Sequence, residues 1–327
     1  EMTNKDSDLY RAHPDWILHT PGRNASHGRY QYVLDFSRKE VVEYIYEMMA
    51  KILSEAKVSY IKWDMNRSIT ECYSVALPAD RQGEVFHRYI LGVYDLYERL
   101  TSEFPEVLFE SCSSGGGRFD PGMLYYAPQG WTSDDSDAIE RLKIQYGTSL
   151  CYPISSMGSH VSVIPNHQVF RKTPLHTRAN VAYFGTFGYE LDLNSLKEEE
   201  IAEVKEQIIF MKKYRKLFQF GDFYRLKSPF EGNETIWMVV SEDKKTAIVG
   251  YYRTLNGVNQ AYSRIKLQGL DPDMLYENIL NKTENYGDEL MNFGLITTDV
   301  TAGEVPGDAT PCTDFESRIY ILKAKEK

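Results

Sequence analysis

Two kinds of apolar pattern alternate over the first two thirds of the chain. Short apolar runs predict strands at 58–63, 107–109, 161–164 and 181–184. Apolar side chains at helical spacing predict helices at 37–56, 84–103, 138–146 and 196–217. Ser37, with Glu40 three residues later, predicts a capping box at the start of the first helix. The alternation amounts to about five strand–helix units and predicts an α/β fold with a parallel sheet or barrel.

The pattern changes after residue 220. Short apolar strands separated by turn residues follow at 236–240, 246–252, 264–267 and 318–322. No strand–helix alternation remains, so this part is predicted to be an antiparallel β-sandwich domain. We therefore divide the chain into a (β/α)-barrel region, 1–220, and a C-terminal antiparallel β domain, 221–327.

Composition narrows the classes of partner. The 327 residues carry a net charge of -10, which argues against nucleic acid and against an anionic membrane surface. Aromatic residues make up 13% of the chain, and aromatic faces stack well on sugar rings, although most of the 24 tyrosines are expected to pack in the core. No apolar run has the length of a membrane span. A small-molecule substrate such as a sugar fits this composition best.

The four cysteines are widely separated. Cys72, Cys112, Cys151 and Cys312 form no CxxC pair and no metal-ligand spacing. We expect free thiols of a reducing compartment, a cytoplasmic location, and neither a metal nor another cofactor.

Polar residues follow the strand at 58–63 abruptly. Lys62, Asp64 and Asn66 are spaced two residues apart, so they share one side of an extended strand. A cationic neighbour keeps a carboxylate ionised, and an ionised carboxylate at a strand end can attack carbon. Asp64 is therefore a candidate nucleophile; the alternative is a structural Asp that caps the next helix.

The strand at 107–109 runs into Cys112 and then into three consecutive glycines, 115–117. Consecutive glycines let a backbone approach a ligand closely. The loop lacks the Gly-Lys-Ser/Thr of a phosphate loop, so a sugar against its backbone is preferred to a phosphate. Cys112 as a nucleophile is a weaker alternative, because no His/Asn partner set is evident.

An acidic run follows Trp131. Asp134 is a candidate general acid, since its acidic neighbours favour a protonated carboxyl. The alternative is a helix cap, a role that Asp137 fits better, while Asp135 is left open between the two roles. Further candidates for substrate contact are Glu110, Asp120, His160, Glu190 and Asp192, each of which has a structural role as its alternative.

Three motifs in one order resemble glycoside hydrolase family 36 α-galactosidases: residues 62–67, 112–120 and 131–135, with Gly28, Arg29 and residues 157–162 in support. The resemblance implies a retaining, metal-independent α-galactosidase built on a (β/α)8 barrel. It implies Asp64 as nucleophile and Asp134 as acid/base. It also implies a galactose subsite lined by Lys62, Asn66, Arg29, Cys112, Gly115 and Trp131.

The resemblance covers only part of such an enzyme: the second half of the barrel and the C-terminal β domain. About five strand–helix units are present where a barrel needs eight. We expect residues 1–327 alone to be poorly soluble and inactive, because unpaired strand edges would be exposed. The complete chain is expected to be a homo-oligomer acting on oligosaccharides such as melibiose or raffinose. Galactosyl transfer, α-N-acetylgalactosaminide cleavage and a non-catalytic sugar-binding fragment are the alternatives.

Overall fold

The computed structural model describes residues 1–258, 263–297 and 314–325. Contacts divide the chain into two compact units, Glu1–Asp134 and Asp135–Lys327. The predicted thiol Cys312 lies outside the described residues, while the described cysteines, Cys72, Cys112 and Cys151, are free.

The first unit contains five strands and four α-helices. Its strands are β1 (Met2–Asn4), β2 (Gln31–Val33), β3 (Tyr60–Asp64), β4 (Leu108–Cys112) and β5 (Gln129–Gly130). Its helices are α1 (Asp8–Ala12), α2 (Lys39–Glu55), α3 (Val85–Glu103) and α4 (Pro121–Tyr126). Strands β1 and β2 pair antiparallel, whereas β3, β4 and β5 form a parallel sheet in that order.

The parallel sheet has two chemically different faces because successive side chains point to opposite sides. Trp63 and Phe109 lie on one face and pack against Tyr97 of α3, with ring centroids 5.3 and 5.5 Å apart. The other face carries Lys62 beside Glu110, and Asp64 beside Cys112, in register. The apolar face therefore packs in the core, and the polar face carries the candidate site residues.

The second unit begins with more parallel strand–helix structure. It contains α5 (Ala138–Thr148), β6 (Gly158–Ser162), α6 (Leu175–Ala182), β7 (Thr186–Glu190) and α7 (Glu198–Phe220), and β6 pairs with β7 in parallel. Together with β3–β5, the described residues have five strands in parallel sheets, each followed in sequence by a helix. The predicted count of five strand–helix units is confirmed.

The rest of the second unit is antiparallel. Its elements are β8 (Asp222–Lys227), β9 (Glu234–Val240), β10 (Thr246–Arg253), β11 (Arg264–Ile265), β12 (Leu275–Asn278), β13 (Glu284–Tyr286), α8 (Gly287–Asn292), β14 (Leu295–Ile296) and β15 (Glu316–Ala324). A six-stranded sheet has the order β13-β12-β15-β10-β9-β8, and β11 pairs with β14. Met238 and Val249 on one face share a core with Ile265 and Leu295. The predicted antiparallel domain is confirmed.

Two local predictions are wrong. Residues 181–184, predicted as a strand, lie at the end of α6 and just beyond it. This helix is buried on nearly all sides, so its sequence has no amphipathic stripe and resembles a buried strand. Ser37 does not cap α2: its hydroxyl donates to Asp35, and the helix begins at Lys39.

Candidate active site

Asp64 closes β3 with one satisfied and one unsatisfied oxygen. The side-chain amide of Asn66 donates to Oδ2. Oδ1 is buried and accepts no hydrogen bond within the part of the chain that the structure describes. A buried acceptor without a donor is costly and needs an explanation, and a catalytic role is one such explanation. Asn66 therefore holds Asp64 in place, and the second oxygen has no donor among the described residues, which a capping role does not explain.

Cys112 lies beside Asp64 at the end of β4. Burial, helped by the neighbouring Asp64 carboxylate, raises the pKa of the Cys112 thiol to about 11 against the opposing effects of the Gly115 backbone and Lys62. A thiol with this pKa is protonated at neutral pH and is a poor nucleophile. The chemistry of this strand end therefore favours Asp64 over Cys112.

Lys62 lies between a carboxylate and an aromatic face. Its ammonium nitrogen is 3.3 Å from Oε1 of Glu110 and 4.7 Å from the centroid of the Trp131 ring. Both contacts favour a cation. Lys62 of β3 therefore contacts a residue of β4 and the residue that follows β5.

Trp131 also contacts the second predicted carboxylate. Its indole Nε1 donates to Oδ1 of Asp134 over 3.1 Å. Asp134 is an exposed residue, so this bond orients a carboxyl group that a ligand can reach. Lys62, Trp131 and Asp134 therefore form one connected group, and Asp64, Asn66 and Cys112 form its neighbour.

The glycine loop packs closely against protein backbone. A Cβ on Gly115 would lie 2.8 Å from the backbone nitrogen of Asp134, and Gly116 approaches the carbonyl oxygen of Thr132 even more closely. Gly115 also has a positive φ of 80°. The glycines are thus required by close packing against the backbone that carries Asp134. The predicted close approach of this backbone to a sugar stays a prediction.

Arg29 is the predicted subsite residue that the structure does not bring into this group. It is solvent-exposed, with φ of 54°, and has no hydrogen bond or ion pair with the other predicted site residues in the described ranges. Arg67, just beyond Asp64, donates to the carbonyl oxygens of Ser26 and Gln31 at 2.9 and 3.2 Å. Arg67 therefore ties the loop that carries Arg29 to the end of β3, a role that sequence reasoning missed.

The other acidic candidates have structural partners. Asp120, Asp137 and Asp192 each accept backbone N–H groups at the start of a helical turn. His160 lies 3.8 Å from Glu190, and Asp135 accepts from the backbone of Asp137. The helix-cap role predicted for Asp137 is confirmed.

No group of three or more His, Cys, Asp or Glu side chains among the described residues is arranged to hold a metal ion. No helix in the described ranges has both the length and the apolar character needed to span a bilayer.

Comparison with known families is decisive for the first 221 residues. The Melibiase family model matches residues 1–221. The chain belongs to the Melibiase family. A second model, the glycosyl hydrolase family 36 C-terminal domain, matches residues 234–322. The resemblance read from the three motifs is confirmed, and so is the family fold of a barrel with a C-terminal β domain.

Individual relatives carry one activity in their names. Alpha-galactosidase AgaA of Geobacillus stearothermophilus is 56% identical over 329 residues, which cover 100% of this chain and 43% of the relative. Alpha-galactosidase Mel36A of Lactobacillus acidophilus is 48% identical and is matched over 99% and 43% of the two chains. The chain thus spans less than half the length of these curated relatives.

Solved structures give the same picture. The alpha-galactosidase from Lactobacillus brevis superposes with a TM-score of 0.95 at 50% identity, over 100% of this chain and 44% of that one. A variant of AgaA in complex with raffinose superposes with a TM-score of 0.93 at 52% identity, over 99% and 44%.

Proposed function

We propose that the protein containing this chain is a retaining α-galactosidase that removes terminal α-galactosyl residues from small oligosaccharides. The observation that carries the proposal is Asp64: a strand-end carboxylate with one fixed oxygen and one buried oxygen that lacks a donor. The family and the names of the relatives supply the substrate class. Raffinose and stachyose, bound in structures of related enzymes, are the oligosaccharides to test first.

Two carboxyl groups divide the reaction. In the first step Asp64 attacks the anomeric carbon and forms a glycosyl ester, while Asp134 gives its proton to the departing glycosidic oxygen. In the second step Asp134 takes a proton from water, the water oxygen attacks the anomeric carbon, and Asp64 leaves as a carboxylate. The configuration is retained because the carbon is inverted twice.

The remaining residues have supporting roles in this proposal. Lys62 and Asn66 hold the galactosyl ring and Asp64, Trp131 orients Asp134, and Cys112 with Gly115 restricts the space beside the ring. Little room beside the ring favours a plain galactoside over an N-acetylated one. Arg29 reaches the sugar from the loop that Arg67 anchors.

The domain boundaries also stay proposals, as a catalytic region at 1–220 and a β domain at 221–327. The limits of the two family models, 1–221 and 234–322, support them. The homo-oligomeric state and the cytoplasmic location stay predictions.

The test is Asp64→Ala in the complete enzyme. We expect turnover of a nitrophenyl α-galactoside to be abolished while folding is kept, because the side chain serves the site more than the core. Added azide should restore turnover and yield β-galactosyl azide, since the small anion fills the vacated space. Asp192→Ala, which removes a cap from a short helical turn, is the control and should keep activity. Wild-type turnover by Asp64→Ala would refute the assignment.

A further inference from the structure

Glu110 is a buried carboxylate that the proposed reaction does not use. The residue is only 3% exposed and lies on the polar face of β4. Its Oε2 accepts from the hydroxyl of Tyr60 and from Nε2 of Gln129, the latter over 3.2 Å. These donors and Lys62 make an ionised carboxylate tolerable at a buried position.

Strand register gives Glu110 a specific place relative to the reacting groups. Lys62, Glu110 and Gln129 lie side by side across β3, β4 and β5. Asp64 and Cys112 form the next row on the same face, two residues toward the carboxyl ends. Glu110 therefore lies one row behind the candidate nucleophile and beside the lysine that serves it.

The two contacts of Lys62 act as a clamp. Oε1 of Glu110 lies 3.3 Å from the ammonium nitrogen of Lys62, and the centroid of the Trp131 ring lies 4.7 Å from the same nitrogen. The lysine side chain is 39% exposed, so without such contacts its long flexible stem would sample several rotamers. Oε1 of Glu110 has no hydrogen bond within the described residues, which leaves the ion pair with Lys62 as its polar interaction there.

Glu110 also has little access to substrate. Its side chain is 4% exposed, and its second oxygen is occupied by Tyr60 and Gln129. An ammonium group has three N–H donors, so Lys62 can bind Glu110 and still donate to a sugar hydroxyl. Any effect of Glu110 on the reaction therefore passes through Lys62.

We propose that Glu110 is a positioning residue, which holds the Lys62 ammonium against the indole of Trp131 and so directs it at the galactosyl ring. The inference rests on the proposed α-galactosidase function. It assigns a role to a residue that lies outside the pair of catalytic carboxylates and the sugar contacts.

The test is a double-mutant cycle in the complete enzyme with Glu110→Gln, Lys62→Met and the double variant. Gln keeps the size of the side chain and an acceptor for Tyr60 but removes the charge that holds Lys62. We expect Glu110→Gln to lower kcat/KM by about 10- to 100-fold, as misplaced site groups do. On the Lys62→Met background the same change should cost little more, because the group through which Glu110 acts is gone.

Two controls separate positioning from folding. Glu43→Gln removes a carboxylate that pairs with Arg99 on the exposed side of α2, and it should leave kcat/KM unchanged. Tyr60→Phe removes a bond to Oε2 and keeps the ion pair, so it should cost much less activity than Glu110→Gln.

Each outcome of the double-mutant cycle supports or contradicts the proposed role of Glu110. Equal losses from Glu110→Gln with and without Lys62 would overturn the role, and so would unchanged turnover by Glu110→Gln. If the unmodified enzyme did not turn over α-galactosides, the proposed function would fail together with the inference. Turnover by the unmodified enzyme with no coupling would remove the inference alone.

Discussion

Carboxylates on the two sides of β3 differ in how completely their oxygens are hydrogen-bonded. On the core side, both oxygens of Glu1 are filled: Trp63 and Arg118 donate to Oε1, and Tyr89 and Arg118 donate to Oε2, over 2.6 to 2.9 Å. On the other side, Asp64 has Oδ1 without a donor among the described residues. Trp63 and Asp64 are neighbours in sequence, so the pleat alone separates the two environments.

The difference separates a structural carboxylate from a reactive one. Burial acts to raise the pKa of Glu1, but the Arg118 guanidinium, helped by the hydrogen bond from Tyr89, lowers it to about 2. The Glu1 carboxylate is thus charged at neutral pH, and both of its oxygens are hydrogen-bonded. Asp64 lacks part of this stabilisation, as the proposed nucleophilic role requires.

We expect the largest effect from removing the second candidate carboxylate on the polar side, Asp134. Removing Asp134 (Asp134→Ala) should slow hydrolysis of melibiose by about 10²- to 10⁴-fold, the usual contribution of general acid catalysis. Nitrophenyl galactosides should lose far less in the first step, since their leaving group needs no proton. Steady-state kinetics on both substrates measure the difference. Equal losses for the two would mean that Asp134 orients the sugar and does not protonate the leaving group.

The next largest effect is expected on the stability of the protein, from breaking the buried ion pair of Glu1 and Arg118. Arg118→Met should destabilise the complete enzyme by about 3–5 kcal/mol, since it leaves the Glu1 carboxylate buried without its cation. Chemical denaturation measures this loss. Arg99→Met breaks the more exposed pair with Glu43 and should cost at most about 1 kcal/mol. A similar loss for both variants would contradict the distinction.

The same pair predicts a pH dependence. Because the folded-state pKa of Glu1 is depressed, its stabilising contribution is fully present above the ordinary value of 4.5 and is lost as pH falls toward about 2. Arg118→Met should therefore lose less stability than the unmodified protein over this acid window.

Sequence alone predicted the elements with a strong period. The helices that became α2, α3, α5 and α7, and the strands that became β3, β4, β9, β10 and β15, were found within a few residues of their bounds. The apolar positions of α2 are not all buried: Met48 and Ile52 are 41% and 53% exposed, whereas Val42 and Leu53 are buried. The period identifies a helix, but the elements that cover it decide which residues are buried.

The site was predictable where chemistry follows a strand end. Asp64 and Lys62 were chosen because polar residues follow an apolar strand. Cys112, Trp131 and Asp134 rested largely on the family resemblance, and the structure groups them with the first two. Glu110 was only a weak candidate, since its partner Lys62 is 48 residues away and strand register alone makes them neighbours. Sequence spacing gives contacts along one strand, whereas contacts between strands depend on register.

The smallest effect is expected from a substitution at Gly115, which tests how precisely Asp134 is positioned. Gly115→Ala should lower kcat/KM by up to about 10²-fold, because the added methyl would lie 2.8 Å from the backbone nitrogen of Asp134 and its backbone would need a positive φ of 80°. Asp134 would shift while Asp64 stays, so azide should not rescue the variant. Gly22→Ala, with a positive φ of 79° but open space around it, matches the backbone strain and should keep activity. If both substitutions cost the same activity, backbone strain accounts for the loss and the position of Asp134 does not.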